Sequence, residues 1–159
     1  MGMFLFMKNA GNKVFGIDKT YVKDSTDAAT RKFELETAAA KRIAELIIEL
    51  KLQVEDLNVF IDTDVAVISG LAYDQATREK VVLVVGNSNG IATVEDYMTV
   101  ENEEPFAQFY TVLRGDTLRG IAKVYFGNAK NYSIIFDANK PMLNHPNKIY
   151  PGQVLRIPA

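Results

Sequence analysis

Phe109-Tyr-Thr-Val-Leu-Arg-Gly-Asp-Thr-Leu-Arg-Gly-Ile-Ala122, then Asn139-Lys-Pro141, then Tyr150-Pro-Gly-Gln-Val-Leu-Arg-Ile-Pro158, is the stretch whose reading decides the fold. Its aromatic and β-branched start predicts a short strand. Arg114-Gly115-Asp116-Thr117 predicts a turn with Asp116 as helix cap. The apolar stripe Leu118, Ile121, Ala122, Tyr125 has the spacing of one helix face. Pro141 stops a second short helix, and Tyr150-Pro-Gly-Gln153 opens a closing strand.

That order resembles the LysM domain, a small βααβ module that in many proteins binds glycans containing N-acetylglucosamine. The resemblance implies a shallow glycan groove, with Gly115, Asp116, Thr117 and Leu118 on one side and Asn139, Lys140, Pro141, Met142 and Ile149 on the other. The plain reading of the same residues is architectural, with Leu118 and Ile149 in a core. Tyr125, Phe126, Tyr132 and Phe136 lie at helical spacing and read as core residues.

Working back towards the N-terminus, Glu101-Asn-Glu-Glu-Pro105 is acidic, polar and broken by proline, and it predicts a linker over 101–107. Residues 1–100 and 108–159 then form two small domains. In the first, Ala40, Ile43, Ala44, Ile47 and Leu50 share one face of a helix running from Asp27 to Leu50, with Asp27 as cap. Leu57–Ile61 and Val65–Ile68 alternate as a hairpin, with Asp62-Thr63-Asp64 at its turn and Gly70 at its exit. A helix capped by Asp74 runs to Gly86, because Gln75, Ala76, Arg78, Glu79 and Lys80 outweigh the strand propensity of Val81–Val85. Ile91–Val100 predicts a third strand. The fold class is α+β.

The order αββαβ, with Ala66-Val-Ile-Ser-Gly70 and Gly90-Ile-Ala-Thr-Val-Glu-Asp96, resembles the BON domain. A BON-like domain followed by a LysM-like one, behind an opening Met1-Gly-Met-Phe4, resembles the bacterial potassium-binding proteins of the BON–LysM type. The resemblance implies a K⁺ site built from the backbone carbonyls of Met7, Lys8 and Ala10 with those of Gly86, Ser88 and Ile91. Neutral carbonyl dipoles suit K⁺, whereas carboxylates favour Mg²⁺ or Ca²⁺. A helix C-terminus adds unpaired carbonyls and the negative end of a dipole. Read without the resemblance, 1–15 is a terminal segment with a few apolar residues docked, and 86–91 is a tight return. Ser88, Asn89 and Met7 depart from the family pattern, in which these positions are more apolar or smaller.

Bulk properties narrow the function. The chain has 159 residues, 48% hydrophobic and 24% charged, as expected of a globular protein. It has no cysteine and a single histidine, His145, so thiolate metal sites and a Ser-His-Asp triad are excluded or improbable on composition. His145 sits in a loop, and Asp62 and Asp64 read as turn residues. Nothing assembles a nucleophile, base and oxyanion donors, and the chain reads as a binding protein, not an enzyme.

Residues 1–104 carry 11 Lys/Arg against 18 Asp/Glu, and residues 105–159 carry 7 against 2. This opposition suggests attraction between the halves, or it is ordinary surface scatter. Neither half has the basic run of a nucleic-acid binder. No segment approaches the roughly 20 apolar residues of a membrane helix. The Met3–Met7 run lacks a basic flank and a cleavage site, so the expected location is cytoplasmic. The leading expectation is therefore a K⁺ sensor or buffer that becomes ordered and compact on binding. The alternative is an envelope-associated adaptor holding peptidoglycan or chitin fragments through the LysM-like part.

Overall fold

The computed structural model describes residues 2–7 and 28–159. In chain order the elements are β1 (Gly2–Leu5), α1 (Ala28–Glu49), β2 (Val54–Asp62), β3 (Val65–Asp74), α2 (Gln75–Gly86), β4 (Thr93–Asp96), β5 (Thr99–Asn102), β6 (Gln108–Thr111), α3 (Leu118–Phe126), a 3-10 turn (Ala129–Asn131), α4 (Tyr132–Ala138) and β7 (Val154–Ile157). The first five strands form one sheet in the order β1-β4-β3-β2, with β5 pairing β3 beyond the end of β4. Strands β6 and β7 form a separate antiparallel ribbon. The α+β reading holds.

β3 and β4 run parallel, so the chain must cross over between them, and α2 is that crossover. Asp74 caps it, its Oδ1 accepting from Thr77 N at 2.7 Å. Val81–Val85 are helical and at most 1% exposed. Five consecutive buried residues are tolerated because α2 lies against the sheet, α1 and β7 together. From α1, Ala40, Ile43 and Ile47 reach the same core, as their spacing predicts. The proposed cap Asp27 lies outside the described residues.

Several boundaries differ from the sequence reading. The hairpin strands are longer, and Gly70 is not at the exit but inside β3, with φ 141°. It faces a bulge in β2 between Glu55 and Asn58. A Cβ there would lie 2.7 Å from Val54 Cγ1 and 2.9 Å from Glu55 O, so glycine admits the bulge. The predicted strand Ile91–Val100 is two strands, because Asp96 turns the chain: its Oδ1 accepts from Met98 N at 2.8 Å, and its Oδ2 from Arg78 Nε at 2.7 Å. β5 continues through Asn102, so the acidic stretch 101–107 begins inside a strand. The cap of α3 is Thr117, whose hydroxyl accepts from Gly120 N at 3.0 Å, and not Asp116.

A second core gathers Val112, Leu118, Ile121, Ala122, Ile135, Leu143, Leu155 and Ile157, with Tyr110, Phe126, Tyr132, Phe136 and Ile149 against it. Tyr125 instead sits at the rim, 38% exposed, with its ring edge-on to Tyr110.

Candidate functional site

Two chain segments far apart in sequence meet at the end of α2. β1 pairs antiparallel with β4, and the pairing extends past Leu5, since Phe6 N donates to Ala92 O at 2.8 Å. Met7, next in the chain, therefore follows the sheet edge near the 86–91 loop. The Phe6 ring covers Gly86: a Cβ on Gly86 would fall 2.1 Å from Phe6 Cζ. Gly86 does not have a positive φ, so its glycine is required by this close approach and not by a turn. Gly90, at φ 86°, is the residue that turns the loop.

Of the carbonyls singled out from sequence, those of Gly86, Ser88 and Ile91 belong to a buried stretch. Ser88 is 1% exposed; its Oγ donates to Val84 O at 2.7 Å and its N–H to Val85 O at 3.1 Å. These bonds give the Val84 and Val85 carbonyls protein donors. The Ser88 carbonyl accepts a long bond from Ile91 N, at 3.3 Å. Met7 is 58% exposed and follows Phe6 at the edge of this loop. Lys8 and Ala10 lie outside the described residues. Among the described residues no cluster of three or more His, Asp or Glu forms a side-chain metal site. What the region offers a cation is main-chain oxygen.

Asn87, between Gly86 and Ser88, is the residue that sequence reasoning passed over. It is the C-cap of α2 and 4% exposed. Its Nδ2 donates to Val154 O at 2.9 Å, and its Oδ1 accepts from Val154 N at 2.8 Å. Asn139 makes the same pair with Arg156, through Nδ2 to O and N to Oδ1, both at 2.8 Å. Residues 154 and 156 point to one edge of β7, and β6 occupies the other. Two asparagine amides thus stand in for a missing strand, one from each core.

The seam continues beside them. Glu79, 5% exposed, accepts from Ala107 N with both oxygens at 3.2 Å. Its Oε2 lies 3.5 Å from Arg156 Nε, an ion pair too long to be a good hydrogen bond, and that nitrogen has no other partner among the described residues. Burial at this seam, with Arg156 nearby, lowers the pKa of Lys80. Phe4 and Phe109 face each other at 5.2 Å between ring centroids, and Met142 packs on the first core.

The glycan-groove residues are largely committed elsewhere. Asn139 holds β7 and also donates to Ile135 O at 2.7 Å. Leu118 is buried, Ile149 packs on the second core and Met142 on the first. Asp116 Oδ2 accepts from Tyr110 Oη at 2.5 Å and from Leu113 N at 2.8 Å. That bond, with burial, pushes the Tyr110 phenol up to about 12. Thr117 is spent on its cap, and the Lys140–Pro141 peptide is cis. Gly115 stands exposed, with open space where a side chain would be. Away from both regions, His145 is exposed, and Asp62 pairs with Lys32 at 2.9 Å.

The LysM domain family matches residues 110–158. Over 159 residues, 99% of either chain, the sequence is 41% identical to the potassium binding protein Kbp of Escherichia coli O6:H1 (strain CFT073). This chain belongs to the Kbp family. The match spans both cores, so the likeness is not confined to the LysM domain. Among the described residues no helix is long and apolar enough to cross a membrane.

Proposed function

We propose that this protein binds K⁺ through main-chain carbonyls of Met7, Lys8 and Ala10 on one side and Gly86, Ser88 and Ile91 on the other. The supporting observation is the meeting of Phe6 with Gly86 and Ala92, which sets Met7, the next residue of the chain, near the loop that carries the second group. The potassium binding for which the Kbp relative is named is consistent with this. Carbonyl dipoles supply a neutral ring suited to a large monovalent ion, and the C-terminal end of α2 adds its negative pole. The protein acts, on this reading, as a cytoplasmic K⁺ sensor or buffer and not as an enzyme. It becomes ordered and compact when the ion fixes the terminal segment against the loop.

The envelope-adaptor alternative has less support, because Asn139, Met142 and Leu118 already serve the fold. Isothermal titration with KCl against NaCl tests the proposal: saturable heat with KCl and none with NaCl is expected. Equal responses would remove K⁺ selectivity and the reading with it.

A further inference from the structure

The strands β1 to β5 contain no lysine or arginine, yet Glu55, Asp62, Glu95 and Glu101 lie among them. Both α1 and α2 cover one face of this sheet, packing on Ile61, Ala66, Ile68 and Val94. Side chains alternate along a strand, so the neighbours of these four point away from the helices. The register sets those neighbours in rows: Met3 opposite Glu95, Glu95 opposite Val67, and Val67 opposite Phe60. Leu5, Thr93, Val65 and Asp62 form the next row.

Met3, Leu5 and Phe60 are exposed, and so is Tyr73, which follows the buried Ala72. Isolated apolar side chains on a surface are ordinary, but these lie side by side across four strands, about 15 Å at the usual strand spacing. Asp62, at the corner, is paired with Lys32 of α1. Glu95, between Met3 and Val67, has no ion pair with any described residue. An apolar strip that carries an unpaired carboxylate and no cation of its own selects its partner's chemistry. It repels an anionic lipid surface, and a second copy meeting it face to face would set acids against acids. A helix with apolar residues on one side and lysine or arginine beside them satisfies both features, and its diameter of about 10 Å fits the strip.

We infer that this open face of the sheet docks a basic amphipathic helix of another protein, its apolar side on Met3, Leu5, Val67 and Phe60 and a cation on Glu95. The LysM domain is attached through α2, on the opposite side of the sheet, and leaves this face open. The docking surface is separate from the 86–91 loop and does not depend on the K⁺ reading.

The probe is a synthetic helix of leucine and lysine with its leucines on one side, titrated into ¹⁵N-labelled full-length protein and followed by NMR. Saturable amide shifts at Phe60, Val67 and Glu95 are expected at micromolar peptide, and the same peptide with glutamate for lysine should not produce them. Glu95→Lys should weaken binding about tenfold, whereas Glu45→Lys, the same charge change on the exposed side of α1, should leave it within about twofold. Phe60→Ser, at an exposed position, should weaken it several-fold. Shifts spread over α1 in place of the strands, equal losses in Glu95→Lys and Glu45→Lys, or equal binding of the glutamate peptide would overturn the assignment. It would also be overturned in favour of a lipid surface by the same shifts with phosphatidylglycerol vesicles alone, or in favour of a second copy by shifts that grow with protein concentration alone.

Discussion

The side chain of Asn87 pairs with both backbone groups of Val154, at 2.8 and 2.9 Å, as a neighbouring strand would. Asn87 is flanked in sequence by Gly86 and Ser88, two of the proposed ion ligands. The residue that holds the LysM strand and the carbonyls proposed to hold the ion therefore share one short turn of chain. Any movement of that turn is felt on both sides.

Asn87→Ala should be destabilising by about 2–4 kcal/mol, because it strands a buried N–H and a buried carbonyl on β7. Chemical denaturation of the full chain measures this. If K⁺ ligation is as proposed, the same variant should also bind K⁺ more weakly, since the turn loses its anchor. A variant with unchanged stability would mean that water replaces the amide without cost.

Gly86→Ala should expel the Phe6 ring, since the new methyl would overlap it at 2.1–2.3 Å. Overpacking of this kind costs about 1–3 kcal/mol. Adding Phe6→Ala should recover part of that loss, because the two residues touch and their effects do not add. K⁺ titration of both variants separates packing from ligation. The single variant is expected to lose binding even where it stays folded.

Much of this fold was legible in the sequence, and the failures have physical causes. Helix periodicity and the Asp74 cap located α1 and α2 because those signals are local. The strand β1 was missed as a strand: Gly2–Leu5 is a short edge strand whose pairing with β4 depends on residues some ninety positions away. Gly70 was misplaced because a glycine in a bulge and a glycine at a strand exit look alike without the partner strand. Asp116 and Thr117 are both good caps, and only geometry shows that Tyr110 and Leu113 claim the aspartate. Charge opposition between the halves left attraction and surface scatter both open. Among the described residues the seam has one ion pair, Arg156–Glu79, while its best hydrogen bonds come from uncharged Asn87. No spacing rule marks an asparagine that closes the edge of a distant strand.

The bond from Tyr110 to Asp116 gives a pH-dependent contribution. The phenol pKa is raised from its ordinary value to about 12 because the neutral phenol donates to the carboxylate. A raised folded-state pKa means the stabilisation is full below about 10, the unfolded value, and is lost as pH rises through 12. Tyr110→Phe should cost about 1–2 kcal/mol at neutral pH. Denaturation curves of the two proteins should converge between about pH 10 and 12. A constant difference across that window would show that the bond does not form in solution.

Chito-oligosaccharides and muropeptides should not bind at micromolar concentration. Asn139 has both ends of its amide engaged, and Met142 faces the first core. Gly115 remains exposed, so a weak contact there alone would not build a groove. NMR titration watching 115–118 and 139–142 checks this. Saturable shifts in both stretches would restore a glycan function to the LysM domain.

K⁺ should compact the whole molecule. The proposed site joins a terminal segment to a loop, and ordering such elements costs conformational entropy that only a bound ion offsets. An ion that binds the ordered form alone favours it by about 2.7 kcal/mol at a hundredfold excess over its dissociation constant. Two carbonyls of that site flank Asn87, so fixing them holds its amide where β7 can dock. On this proposal the contacts of Glu79 with Ala107 and Arg156 are strengthened by the ion. Small-angle scattering in K⁺ and in Na⁺ at matched ionic strength measures the radius of gyration in each, with screening held constant. A smaller radius in K⁺ is expected, and Asn87→Ala should abolish the difference. Equal radii with K⁺ demonstrably bound would leave an ion-binding protein whose halves are docked whether or not the ion is present.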